Sequence, residues 1–304
     1  MLLADFFEET YRSRKLLGRS ENTSRLYRLS ITSFGRTLGK RPRLCDFTDT
    51  NLSRHIQRLL DEGRSVATAN KDRAQLLALW RYAHKRGLVT NWPDVPVIPE
   101  PERTPAAWMP EDLAKLEEAV GRRKGSIAGV PERLWWRSLI YACLDTGERI
   151  SAIRDATWDW VDGVWLRVPA EARKGKTRDR AYRLRPATVD DLEMIRRMGA
   201  GNFLWPWPLN RDYLWQKYGA LLKEAGLPAG RRDKFHRLRR TTASISHAAG
   251  LDAQQVMDHE YRRTTRAYLD PRYTANTQPC DVLADFLANP KKATQRPPDR
   301  SQSA

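Results

Sequence analysis

Phe235-His236-Arg237-Leu238-Arg239-Arg240-Thr241-Thr242 is followed by His259 and, nine residues further on, by Tyr268. On a helix His236 and Arg239 stand at i and i+3, on one face. Such a face can present a proton-transfer group and a fixed cation to a single phosphate. Upstream lies Asp145-Thr146-Gly147-Glu148-Arg149-Ile150-Ser151, behind an apolar helix over Trp135–Leu144. Gly147 suits the backbone turn at that helix end and leaves Arg149 at the start of the next helix. Between these two segments, Gly163-Val164-Trp165-Leu166-Arg167-Val168 and Arg180-Ala181-Tyr182-Arg183-Leu184 alternate apolar and polar residues. That alternation reads as a β-hairpin, with Glu171-Ala172-Arg173-Lys174-Gly175-Lys176 as its basic tip.

The wider composition points the same way. The 304 residues hold 54 Lys+Arg against 37 Asp+Glu, a formal charge of +17, and 41 of the 54 cations are Arg. Arg makes fixed, bidentate phosphate contacts where Lys acts as a mobile point charge, so the expected partner is a polyanion, most simply nucleic acid. A basic surface with no specific ligand is the plain alternative. No long apolar run suggests a membrane span, and the acidic start Met1–Glu9 lacks the basic segment of a secretory signal. Cys45, Cys143 and Cys280 form neither a disulfide framework nor a zinc spacing, which fits a reducing cytoplasm. The five His include no HExxH, and no Gly-rich phosphate loop is present, so neither a cofactor nor a metal is expected.

Residues 1–90 read as helices at roughly 2–16, 21–38, 48–62 and 67–87, by periodicity and capping residues. Asn22-Thr23-Ser24, Thr48-Asp49-Thr50 and Ser65 or Thr68 are the candidate caps. Leu76, Leu77, Leu79, Trp80 and Ala83 form an apolar stripe that reads as core. Four prolines within residues 93–101 favour an extended connector, so 91–105 is expected to be a linker. A second domain over 106–288 opens with a helix at Pro110 and is mostly helical around the hairpin. Residues 289–304 read as a disordered basic tail. The charge is +8 over residues 1–95 and +9 over the remainder, as expected of two basic domains gripping a duplex.

With these residues in place, the chain resembles the tyrosine recombinase (phage integrase) family. The resemblance rests on Arg149, a hairpin Lys, His236-Arg237-Leu238-Arg239, His259 with Thr264-Thr265, and Tyr268, in family order. Val168-Pro169-Ala170-Glu171 also resembles many integrase hairpins. The likeness spans about residues 1–285 and implies a mainly α fold. It comprises a helical, SAM-like core-binding domain and a mostly α catalytic domain with a small antiparallel sheet. It further implies that Tyr268 attacks a DNA phosphodiester, leaving a 3′-phosphotyrosine and a free 5′-hydroxyl. Arg149, Arg239 and His259 would hold the non-bridging oxygens, His236 would assist proton transfer at the tyrosine, and the hairpin lysine would protonate the departing 5′-oxygen. Lys174 is favoured by counting from Val168, while counting back from Arg183 also admits Lys176. Tyr261 and Tyr273 are the nearby alternatives to Tyr268, and the spacing selects Tyr268.

A phenol with a reference pKa near 10 is mostly protonated at pH 7, so such a nucleophile needs neighbouring cations or a base. The covalent link conserves the phosphodiester energy, so rejoining needs neither ATP nor metal. Three departures stand out. Asp258 occupies the place before His259 where the family usually has Gly, and either slows catalysis or orients His259. The segment Gly250–His259 is shorter than in many relatives. Ala152 occupies a position commonly acidic, so that orienting role is absent or falls to Glu148 or Asp155.

The resemblance implies double-stranded DNA as partner and a homotetramer on two DNA sites. No membrane or small-molecule substrate is expected. Val282-Leu283-Ala284-Asp285-Phe286-Leu287 would pack on a neighbouring protomer or on its own domain. Two alternatives to a recombinase remain on sequence grounds: a type IB topoisomerase-like enzyme, and a non-cleaving DNA-binding protein of recombinase descent.

Overall fold

The computed structural model describes residues 1–173, 175, 178–199 and 201–274. Lys174 and Lys176, the apolar segment 282–287 and the basic tail therefore lie outside the described residues. The chain divides into two units, Met1–Glu102 and the residues from Arg103 onward.

The first unit is helical. Short helices α1 (Leu3–Asp5) and α2 (Ser13–Lys15) flank a π-helical stretch, Phe6–Arg12, and α3 (Glu21–Leu38), α4 (Asp49–Asp61) and α5 (Val66–Lys85) follow. Thr48 caps α4 by accepting from the Asn51 amide at 3.1 Å, and Ser65 caps α5 through the Thr68 amide at 3.3 Å. At α3 the expected caps Asn22–Ser24 fall inside the first turn, because the helix already begins at Glu21 behind Ser20. The α5 stripe is core, as periodicity predicts: Leu76, Leu77, Leu79, Trp80 and Ala83 are all buried. Phe47 stacks parallel on Trp80 with ring centroids 5.4 Å apart.

The Pro-rich connector has no helix or strand, but its first part is docked on this unit. Val95 is buried and its carbonyl accepts from Arg73 Nε at 2.8 Å. Ile98 exchanges two hydrogen bonds with the Asn70 side chain, at 2.8 and 3.0 Å. Prolines remove the donors that a sheet edge would need, so side chains of α5 serve the connector's remaining polar groups instead.

Near the start of the second unit Trp108 is fully buried, followed by α6 (Pro110–Gly121), a small pair β1 (Ser126–Ile127) and β2 (Val130–Pro131), and α7 (Glu132–Thr146). Helix α8 (Ile150–Arg154) precedes a three-stranded antiparallel sheet in the order β3 (Val161–Asp162), β4 (Trp165–Val168), β5 (Arg180–Arg183). In its hairpin Leu166 pairs with Tyr182 and Val168 with Arg180, while Leu166, Val168 and Tyr182 point into the core. The strand β3 is an addition to the expected hairpin; at two residues it carries no readable alternation. Helices α9 (Pro186–Arg197), α10 (Arg211–Glu224), α11 (Phe235–Ala248), α12 (Ala253–Met257), α13 (Arg262–Arg266) and α14 (Pro271–Thr274) complete the unit. The apolar faces of α9, α10 and α11 join α6, α7, β4 and β5 in one core rich in Trp, Tyr and Leu. Among the described residues no helix is long and apolar enough to cross a membrane.

Candidate active site

Helices α7 and α11 meet where the predicted residues converge. α7 ends at Gly147, whose φ of 60° is the left-handed conformation that glycine adopts without strain. The approach is also close: a Cβ on Gly147 would lie 3.1 Å from Thr242 Cγ2 and 3.3 Å from Met257 Sδ. Thr242 Oγ1 donates to the Leu144 carbonyl at 2.8 Å, and Arg239 Nη1 donates to the Gly147 carbonyl. Arg149 then stands at the N-cap of α8, half-buried, and no hydrogen bond or ion pair among the described residues engages its guanidinium. That leaves it able to take an oxyanion.

Arg239 is buried and held on three sides. Besides Gly147, its Nη2 lies 3.0 Å from the Met257 carbonyl and 3.1 Å from His259 Nε2. A guanidinium only donates, so His259 accepts at Nε2 and carries its proton on Nδ1, 3.1 Å from Thr265 Oγ1. The Tyr268 ring lies against both histidines, with centroids 5.0 Å from His236 and 4.8 Å from His259, and Arg239 Cζ is 5.6 Å from its centre. Ser244 on α11 grips this segment by donating to the Tyr268 carbonyl at 3.3 Å and accepting from the Asp270 amide at 2.9 Å.

Burial of the inner side of its ring, then the charges of Arg240, Arg239 and Arg149, push the His236 pKa down to about 4. Its outer edge stays exposed, so the neutral imidazole is open to receive a proton at pH 7. Arg237, inside the same motif, serves the fold instead: it lies 3.7 Å over the Trp108 ring and pairs with Asp233 at 2.9 Å. The competing tyrosines are elsewhere engaged. Tyr261 is 64% exposed, and Tyr273 donates to the Trp108 carbonyl at 2.8 Å.

The structure thus brings Arg149, His236, Arg239, His259 and Tyr268 together, while Lys174 and Lys176 lie outside the described residues. It also adds residues that spacing alone did not place. Glu148 is buried; its Oε1 accepts from Arg173 Nε and from Tyr182 Oη, each at 2.6 Å, and its Oε2 lies 3.9 Å from Arg239 Nη1. Burial alone would raise its pKa, but the bonds from Tyr182 and Arg173 and the charge of Arg239 outweigh it and hold the carboxylate ionised. Glu148, not Asp155, is therefore the carboxylate near Arg239. Asp155 pairs with Arg154 at 2.6 Å, and Ala152 is buried core. Asp258 sits at φ 50°, the conformation that explains a glycine preference there, and its carboxylate bonds to Arg173 at 2.9 Å and to Arg178. No sequence periodicity marks such a pairing; only the surplus of buried opposite charge does.

No family model matches the sequence, and no curated protein does. Solved structures do match. A lambda integrase tetramer bound to a Holliday junction aligns with a TM-score of 0.70 at 20% identity, over 89% of this chain and 77% of that one. The Tn1549 transposon integrase in complex with transposon right end DNA gives 0.68 at 16% identity, over 95% and 99%. The XerH site-specific recombinase bound to palindromic difH gives 0.67 at 19% identity, over 91% and 82%. The chain has the mostly helical fold of the tyrosine recombinases, as the sequence resemblance implies.

Proposed function

We propose that this chain is a site-specific DNA recombinase that cuts and rejoins duplex DNA through Tyr268. The observation that carries the reading is the placing of the Tyr268 ring between His236 and His259, beside the buried Arg239, in a fold shared with DNA-bound recombinases. Tyr268 Oη attacks the phosphorus, the P–O5′ bond breaks, and a 3′-phosphotyrosine remains. His236, neutral at pH 7, takes the phenolic proton. Arg149 and Arg239 neutralise the non-bridging oxygens as charge builds, as a metal ion does in other phosphoryl-transfer sites. A hairpin lysine, Lys174 or Lys176, gives the 5′-oxygen its proton. Attack of the 5′-hydroxyl of a second strand reverses the steps and reseals DNA without ATP.

The +17 charge supports a salt-sensitive grip on the phosphates of double-stranded DNA, and the lambda integrase tetramer supports a homotetramer on two DNA sites. The test begins by selecting duplexes from a randomised pool with the Tyr268→Phe chain. The unaltered protein then meets those duplexes carrying a nick that lets the cut fragment diffuse away. A covalent protein–DNA adduct is expected, absent with Tyr268→Phe. Specific binding with no adduct would favour the non-cleaving reading, and relaxation of supercoils without a specific site would favour the topoisomerase reading.

A further inference from the structure

Behind the reacting groups lies a cluster of buried charges. Arg173 exposes 2% of its side chain, Glu148 3% and Asp258 8%. These three side chains come from three separate segments: the hairpin turn, the α7–α8 turn and the end of α12. Arg173 spends its donors on the other two and on a backbone carbonyl of its own turn. Nε goes to Glu148 Oε1 at 2.6 Å, Nη2 to Asp258 Oδ2 at 2.9 Å, and Nη1 to the Arg178 carbonyl at 3.0 Å.

Each anchor matters because of its neighbour in sequence. Glu148 directly precedes Arg149, and its Oε2 accepts from the Arg149 amide at 3.1 Å. Asp258 directly precedes His259. The carbonyl of Arg178 belongs to the far side of the same turn, and Asp179 braces that side by accepting from the Ala170 amide at 2.9 Å. Arg173 and Arg178, the residues at either end of stretch 174–177, are thereby fixed to each other and to the two segments that carry Arg149 and His259. Tyr182, from β5, completes the arrangement through Glu148.

We propose that Arg173 is a positioning residue for strand cleavage: its buried guanidinium fastens the base of the β4–β5 turn to Glu148 and Asp258, and so sets the turn's proton donor against the phosphate. The assignment rests on the recombinase reading above. It gives Asp258 a purpose, since the carboxylate that replaces the family's usual glycine is the second anchor for Arg173. It also separates the roles of the charges: Arg149 and Arg239 hold the phosphate, while Arg173 holds the protein.

A bridging 5′-sulfur in the scissile phosphate tests this. A thiol with a reference pKa near 8.5 departs as its anion and needs no proton, whereas an alkoxide does. Nicked duplexes with oxygen or sulfur at that position are compared in single-turnover adduct formation. A positioned proton donor contributes about 10²–10⁴-fold. Arg173→Gln is expected to slow cleavage of the oxygen substrate by about 100-fold while leaving sulfur cleavage within about 10-fold of the unaltered chain. Asp258→Gly, tolerated at φ 50°, should show the same pattern more weakly. Arg239→Ala, which loses a phosphate contact, should fail on both substrates. Equal losses of Arg173→Gln on oxygen and sulfur, or no loss on either, overturn the proposal. If Arg173→Gln does not fold, Asp258→Gly decides by the same comparison. Failure of the unaltered chain to form any adduct instead overturns the recombinase reading, and shows before any substitution is made.

Discussion

Arg239 donates through Nη2 to His259 Nε2 at 3.1 Å, and that bond dictates the histidine's tautomer. Because Nε2 accepts, the proton sits on Nδ1, where Thr265 Oγ1 receives it at 3.1 Å. Thr265 is buried, so no water readily replaces its hydroxyl. The orientation of the Arg239–His259 pair is thus settled by α11 on one side and α13 on the other.

Thr265→Val tests that arrangement. It removes the acceptor while nearly preserving shape, and a lost neutral hydrogen bond is worth about 1 kcal/mol, or roughly 5-fold in rate. Single-turnover adduct formation is expected to fall by about 5–10-fold with DNA affinity unchanged. An unchanged rate would mean that the His259 tautomer has no bearing on cleavage.

His236 yields a pH prediction with a defined sign. Its folded pKa is near 4, below the reference of 6.5, so between those values the unfolded chain binds a proton that the folded chain does not. Stability therefore drops as pH falls from about 6.5 toward 4, and His236→Gln should flatten that slope. The His236 C2-proton resonance should titrate near pH 4. A midpoint near 6.5 would show that burial and the charges of Arg240, Arg239 and Arg149 do not depress it.

The three tyrosines separate by what they touch. Tyr268→Phe is expected to abolish the adduct. Tyr261→Phe, on a largely exposed ring, should match the unaltered chain in adduct yield and melting temperature. Tyr273→Phe should keep the chemistry but lose about 1 kcal/mol of stability, since its hydroxyl serves the Trp108 carbonyl. Adduct formation by Tyr268→Phe would point to another nucleophile.

What the residues disclosed before the fold was known follows from the range of each interaction. Periodicity is local, so the α5 stripe from Leu76 to Ala83, the caps at Thr48 and Ser65 and the alternation of β4 and β5 were all legible. The order Arg149, His236, Arg239, His259, Tyr268 was legible because a family resemblance carries long-range geometry that propensity does not. The pairing of Arg173 with Asp258 joins residues 85 positions apart and leaves no pattern in either segment. The same holds for Val95 and Ile98 against α5, where prolines announced an extended connector but not the surface it lies on. The π-helical stretch Phe6–Arg12 also went unsignalled, since its extra residue per turn barely shifts an apolar pattern seven residues long.

Gly147 offers the sharpest link between packing and chemistry. Its φ of 60° would cost a residue with a side chain about 1–2 kcal/mol. Its Cβ would also press on Thr242 and Met257 at 3.1 and 3.3 Å, adding an overpacking cost of about 1–3 kcal/mol. Gly163 is the control, with φ of 57° and nothing within 4 Å of its would-be Cβ. Gly163→Ala should therefore lower stability by about 1–2 kcal/mol and leave cleavage alone. Gly147→Ala should lose about 2–5 kcal/mol, because both costs apply. It should also slow adduct formation by about 10-fold or more at temperatures where it remains folded, since Arg239 takes its bearing from the Gly147 carbonyl. Denaturant melts and single-turnover cleavage on the two variants measure both effects. Equal behaviour of the two alanines would show that the close approach of α7 to α11 does not govern where Arg239 points.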